Sequence, residues 1–197
     1  MKNLFLAVFT LVVISISSAN AQVVFGARVG ASIPTIYETG GNSNGKFGVE
    51  AGPVLYYTIK HNLYINTGVM FSYKTFDFDG SSLNMSYLDV PLYLGYNFAT
   101  GSAVSFYAQI GPYVGFKLSE KSKFSDGSSE STKFVKNFDA GAAIMGGVNI
   151  QRFKIEVGYK HGFLNLYNVP YFSDLGVDVG SDKLNLGSFF LGVSYVF

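Results

Sequence analysis

The feature that most limits how this chain can fold is a period of two in its hydrophobicity, sustained from Val23 to the C-terminus. In "FKIEVGYKHGF", one set of alternate positions is Phe153, Ile155, Val157, Tyr159, His161 and Phe163. The other is Lys154, Glu156, Gly158, Lys160 and Gly162. "LYINTGVMFSYKTF" divides the same way, with Leu63, Ile65, Thr67, Val69, Phe71 and Tyr73 set against Tyr64, Asn66, Gly68, Met70, Ser72 and Lys74. Successive side chains of a strand leave opposite faces, so each segment reads as a strand with two unlike faces. Eight such runs are predicted, at about 23–33, 46–59, 63–76, 86–98, 103–118, 136–150, 153–165 and 184–197. Short connections ("KHN", "ATGS", "QR") alternate with four long ones ("PTIYETGGNSNG", "DFDGSSLN", "SEKSKFSDGSSESTKFV", "LYNVPYFSDLGVDVGSD"). In an up-and-down meander this alternation gathers all the long connections at one end, and their Ser, Gly, Asp and Asn content suits solvated loops.

Alternation alone does not say which face is inside. A soluble lipocalin-like barrel turns its apolar face inward, and a membrane barrel turns it outward. Charged residues are only 14% of the chain against about 25% in an ordinary soluble domain. They are almost absent from the apolar positions, where a Lys or Arg facing lipid costs about 2–4 kcal/mol at the midplane. The opposite face mixes charge with glycine, as in Gly26-Arg28-Gly30, Gly48-Glu50-Gly52 and Gly158-Lys160-Gly162. That pattern suits a narrow interior rather than a solvated exterior. Tyr57, Tyr73, Tyr96, Phe98, Tyr159 and Tyr195 fall near run ends, as girdle residues at membrane interfaces do. The expected fold is therefore all-β, an eight-stranded antiparallel up-and-down transmembrane β-barrel. "YLDVPLYLGYNF" becomes intelligible in that setting. Leu88, Val90, Leu92, Leu94, Tyr96 and Phe98 face lipid while Asp89 joins an interior polar network. Pro53, Pro91 and Pro112 fit less well, because proline has no N–H for a ladder that has no free edge. A local bulge or an interior water is expected at each.

Residues 1–21 read as a cleaved signal peptide, leaving a barrel domain over 22–197. Lys2 supplies the positive n-region, Leu4–Ile16 an apolar stretch of 13 residues, and Ala19-Asn20-Ala21 a small-residue cleavage site. The apolar stretch is short for a spanning helix, which needs about 20 residues. The remaining chain carries 13 basic and 13 acidic residues. With no basic stripe, nucleic acid is not an expected partner. The absence of cysteine means an exported fold that does not rely on disulfides.

Several segments resemble the PorT-like outer-membrane β-barrel family of Gram-negative bacteria. "YLDVPLYLGYNF" is similar to that family's fourth-strand pattern, "IGPYVGFKL" to its Gly-Pro-Tyr strand, and "FDAGAAIMGGVNI" to its Phe-Asp-x-Gly strand. "GYKHGFLNL" is similar to the strand that follows, with its Gly-Leu-Asn-Leu-like end altered, and "FLGVSYVF" ends in an aromatic. The resemblance implies an outer-membrane barrel with both termini periplasmic. It also implies that the terminal Phe197, with Tyr195 on the same face, is the signal read by the barrel-insertion machinery. It implies no particular activity, since fold and function separate readily.

The candidate site is the interior itself. Its predicted polar network comprises Arg28, Glu50, Lys74, Asp89, Lys117, Asp139, Glu156 and Lys160, with Lys154 on the same face. The charges nearly balance, and eight strands enclose little more than the space their own side chains fill. A salt-bridged plug is expected ahead of a narrow channel. A lipid-modifying enzyme would want His beside Ser and an acid. The two histidines, His61 in a turn and His161 on the apolar face, fall at opposite ends with no motif partner. "DFDG" (Asp77 to Gly80) lacks the further ligands of a calcium loop, and Asp174, Asp178 and Asp182 form an equally weak set. "GARVG" and "GAAIMGG" lie inside strands, without the helix N-terminus that phosphate cradling needs. The expectation is a non-enzyme without cofactor or metal. Its partners would be outer-membrane lipid, the insertion machinery, and a protein or polysaccharide at the four long connections.

Overall fold

A computed structural model describes residues 23–38, 41–78, 81–98, 104–124, 129–130, 135–166 and 183–197. These residues form antiparallel strands in one continuous sheet: β1 Val23–Glu38, β2 Gly41–Asn44, β3 Phe47–Lys60, β4 Leu63–Gly68, β5 Met70–Phe78, β6 Ser81–Asn97, β7 Val104–Phe124, β8 Ser129–Glu130, β9 Phe138–Ile150, β10 Phe153–Gly162 and β11 Leu184–Val196. β4 and β5 are halves of one strand interrupted at Val69, and β2 and β8 are short pieces paired onto the ends of β1 and β7. Eight staves remain, each paired to its neighbours in sequence. β1 pairs with β11 from Gly26↔Val196 to Glu38↔Leu184, which closes the ring. The molecule is an eight-stranded antiparallel β-barrel whose ring, closed by the β1–β11 pairing, leaves none of its eight staves as an edge strand.

The turns at His61–Asn62 and Gln151–Arg152 lie at the same end as Val23 and Phe197, the short-turn end. His61 and Gln151 sit at positive φ, 26° and 54°. The signal-peptide residues, and Asp174, Asp178 and Asp182, lie outside the described residues.

Orientation follows the pattern of lipid outside and charge within. Val69 and Leu92 are exposed on the wall, with Val29, Ile110, Ile144, Val157 and Phe189, whereas Glu50 and Lys160 are buried. The strands outrun their predicted ends toward the long-connection end, so two of the four connections expected to be long, "PTIYETGGNSNG" and "DFDGSSLN", are mostly paired strand, with β1 pairing onto β2 at Glu38↔Gly41 and β5 onto β6 at Phe78↔Ser81. β6 starts at Ser81 rather than near 86, and β7 runs to Phe124 rather than 118. Ser81 to Ser86 pair with Phe124 back to Ser119. These stretches carry Ser, Asn and Lys instead of an apolar stripe, but a ladder needs only backbone groups and can continue beyond the apolar band. At the other extreme, β10 stops at Gly162, short of 165.

A bulge on β7 changes the pattern. Ser86 pairs with Ser119 and Tyr87 with Lys117, so Leu118 has no partner on β6. The extra residue leaves Leu118 and Ser119 both exposed and brings Glu120 and Ser122 inward after Lys117. Straight alternation would have turned Glu120 out.

The prolines involve no bulge, the first of the two accommodations expected. The register is the same on both sides of each, and the ladder only loses bonds. Val69 donates its N–H to the Pro53 carbonyl at 3.1 Å, but Pro53 has none to return, and the strand breaks at Val69. The β6–β7 pairing lapses between Pro91↔Tyr113 and Leu94↔Ile110, opposite Gly111 and Pro112. The Pro91 carbonyl accepts a hydrogen bond from the Thr67 hydroxyl at 2.7 Å. The three defects fall at one height on β3, β6 and β7, with intact ladder above and below.

Candidate functional site

The lumen is built from the inward position of every second residue, and it is organised in layers along the barrel axis. The middle layer is an ion network. Arg28 (β1) reaches Glu50 (β3) with Nη2 at 2.9 Å and Glu156 (β10) with Nε at 2.8 Å. Lys160 (β10) completes the set, 2.5 Å from the other Glu50 oxygen and 3.8 Å from Asp89 (β6). Neutral donors add to the carboxylates. Ser72 donates to Asp89 at 3.2 Å, and Tyr107 and Gln109 donate to Glu156 at 2.7 and 3.2 Å. Asn66 in turn donates to Gln109 at 3.2 Å. All five charged residues are at most 6% exposed. Charges so buried persist only when paired and hydrogen-bonded, and the guanidinium fork lets one cation hold two carboxylates. Arg28 and Lys160 also lie over the Phe190 ring, at 4.9 and 5.3 Å.

Toward the long-connection end, Tyr113 donates to Asp139 at 3.0 Å and Lys74 lies over the Tyr87 ring at 4.8 Å. Beyond them Lys117 pairs with Glu120 at 2.5 Å and donates to the Val135 carbonyl. An apolar cluster of Ile36, Phe76, Met85, Tyr87, Val135, Leu166 and Leu186 packs the same end. Toward the short-turn end, Lys154 stands over the rings of Tyr107, Tyr56 and Tyr64, at 4.0, 4.9 and 5.0 Å, and donates to Asn149 at 2.7 Å. Glycine makes these crossings possible: a Cβ on Gly95 would run into the Tyr64 ring. Outside the Lys154 layer the lumen opens into a cup of about 180 Å³. A larger concavity of about 890 Å³ belongs to the outer wall, between residues such as Ala31, Ile144, Val157 and Phe189.

Of the eight network residues named from sequence, the fold brings Arg28, Glu50, Asp89, Glu156 and Lys160 into one cluster. Lys74 and Asp139 stand in a second group, and Lys117 in a third. Glu120, which the sequence pattern missed, makes the described lumen charges equal, five of each sign. The neutral partners Tyr107, Gln109 and Tyr113 were also missed, although their inward parity is legible in "FYAQIGPYVG". At the C-terminus, the Phe197 N–H donates to the Phe25 carbonyl at 2.9 Å, and the Tyr195 ring lies between Phe153 and Phe197 at 5.2 and 5.5 Å.

The histidines stay apart, as their positions predict. His161, on the outer wall, has a hydrogen-bond partner after all: its Nδ1 is 3.2 Å from the Tyr159 hydroxyl, which bonds to Tyr37 at 2.8 Å. A hydroxyl pair of this kind orients the ring but supplies no acid to hold it as a base. Asp77 of "DFDG" pairs across the ladder with Ser82 and forms an exposed ion pair with Lys46 at 3.0 Å. Among the described residues no three His, Asp or Glu side chains gather as a metal site.

Comparison with known proteins agrees with this geometry. The family model described as "Outer membrane protein beta-barrel domain" matches residues 7–168. No curated protein matches the sequence. The fold is similar to the crystal structure of Neisserial surface protein A, with TM-score 0.57 and 16% identity over 88% of this chain and 97% of that one. Looser likenesses are OprG from Pseudomonas aeruginosa (TM-score 0.46, 15% identity, 88% of this chain and 95% of that one) and the outer membrane enzyme PagL (0.46, 11%, 85% and 98%). Likeness at these identities extends to the fold alone. A family model spanning most of the sequence, and a closed ring apolar without and charged within, lead to one conclusion: this chain belongs to the outer membrane protein beta-barrel domain family.

Proposed function

We propose that this outer-membrane barrel works without catalytic turnover and without conducting, as a rigid stave ring that carries the connections of its long-connection end outside the cell. There they would meet a partner protein or surface polysaccharide. One observation carries the reading: the Arg28–Glu50–Glu156–Lys160–Asp89 network bridges β1, β3, β6 and β10 across the lumen, backed by the apolar cluster around Phe76 and Leu186. An eight-stranded ring leaves little space once such side chains fill it. In the same reading residues 1–21 direct export, both termini are periplasmic, and Phe197 with Tyr195 is the insertion signal. The PorT-like resemblance belongs here too, as the finer family to which the strand motifs point.

Planar-bilayer recording of the purified barrel tests the closed interior. The expected trace is flat at both polarities. Stable unitary conductance, altered by Glu50→Gln or Lys160→Met, would replace the plug with the narrow-channel reading.

A further inference from the structure

The cup at the short-turn end of the lumen has no part in the closed network. It is lined by Val24, Tyr56, Thr58, Tyr64, Asn97, Asn149, Gln151, Lys154 and Val196, and encloses about 180 Å³. Every one of these except the turn residue Gln151 occupies an inward position. Two features of the lining point to a ligand. Lys154 is only 8% exposed, and its contacts are the Asn149 side-chain oxygen and three tyrosine faces rather than a carboxylate. An ammonium has three donors and Asn149 takes one. The ring faces offset part of the charge, more weakly than an anion does. The second feature is Tyr64, 4% exposed, whose buried hydroxyl has no hydrogen-bond partner. Buried hydroxyls seldom stay so. Asn149 is fully engaged, with its amide nitrogen on Asn97 at 3.0 Å and on Ser105 at 2.9 Å, so it does not turn to relieve Tyr64.

We propose that this cup binds a small monocarboxylate entering from the short-turn side. The carboxylate takes a charge-assisted bond from Lys154 and, once the Tyr64 ring turns its covered hydroxyl toward the cup, accepts one from that hydroxyl, while its short alkyl chain lies against Val24 and Val196 at the rim. One cation and neutral amide and hydroxyl groups match a single negative charge. A phosphate dianion would be left with unbalanced charge beside Glu156, which sits one inward position deeper than Lys154 on β10. The bound anion gives the short-turn mouth an occupant while the network above it blocks onward passage. Binding here does not require that the barrel be non-conducting, so the two readings fail separately.

The test is saturation-transfer NMR of sodium butyrate with the full barrel in lipid nanodiscs. Transfer to butyrate should saturate with concentration, and the neutral isostere butyramide should show none of it. Lys154→Met should weaken binding by about tenfold or more, and Tyr64→Phe by about fivefold, each the loss of one anion contact. Asn97→Asp is the variant least exposed to misfolding, because an aspartate oxygen still accepts from Asn149. By placing a resident carboxylate in the cup it should abolish butyrate binding, with heat-modifiable gel mobility retained. Equal transfer to butyramide, undiminished binding in Asn97→Asp, binding of inorganic phosphate in preference to butyrate, or no saturable binding to the native barrel would each overturn the proposal.

Discussion

Replacing Glu156 with leucine probes whether the interior network holds the barrel together. Glu156 is 1% exposed; it binds Arg28 at 2.8 Å through one oxygen and Tyr107 and Gln109 at 2.7 and 3.2 Å through the other. Removing it leaves Arg28 buried on Glu50 alone and strands two neutral donors. Breaking a buried ion pair on one side costs about 3–5 kcal/mol. The surviving Arg28–Glu50 bond sets the expectation at the lower end, about 3 kcal/mol. Arg28→Met strips both carboxylates and is expected to cost about 3–5 kcal/mol, for the same reason. The double variant should cost clearly less than the sum of the two, with a coupling energy of about 2–3 kcal/mol, since no uncompensated charge then remains at that contact. The control is Lys46→Ala, at an exposed pair with Asp77, which is expected to cost less than about 1 kcal/mol. Urea unfolding in lipid vesicles, with folded and unfolded forms resolved by gel mobility, measures the four variants against the parent. High salt should erase the Lys46 effect and leave the coupling between Arg28 and Glu156 nearly unchanged. A Glu156→Leu barrel within about 1 kcal/mol of the parent, or strict additivity in the double variant, would refute the electrostatic argument.

Three further outcomes are expected. Gly95→Ala drives a methyl into the Tyr64 ring and should cost about 1–3 kcal/mol by the same unfolding measurement. Ile144→Lys, on the wall of β9, should cost about 2–4 kcal/mol in lipid vesicles, whereas little change would mean that this face is not in hydrocarbon. Gln151 holds φ 54° in a two-residue turn, so Gln151→Asn should stabilise by roughly 0.5–1 kcal/mol, because asparagine tolerates the left-handed region better.

Much of the architecture was readable from residue order because strand periodicity is a local property. Ile155, Val157 and Tyr159 against Lys154, Glu156 and Lys160 assign two faces to β10 without knowledge of any partner. The absence of charge on one face then says which side meets lipid. The strand ends were less legible: Ser81–Ser86 and Ser119–Phe124 continue the ladder through backbone groups, to which side-chain patterning is blind. The Glu120 position was hidden for a different reason, since one unpaired residue at Leu118 reverses the parity of everything after it.

Residue order by itself therefore determined the staves, their two faces, and all of the described interior charges but Glu120, because those follow from alternation and from the cost of charge in hydrocarbon. Only ring closure decided which charges meet. Arg28 and Glu156 stand at opposite ends of the sequence, yet they touch because β1 and β10 both pair with β11 and aim their side chains at one axis. The same closure left Lys154 among tyrosines rather than beside a carboxylate, a matter of height along the barrel that is set by register, which no single strand encodes.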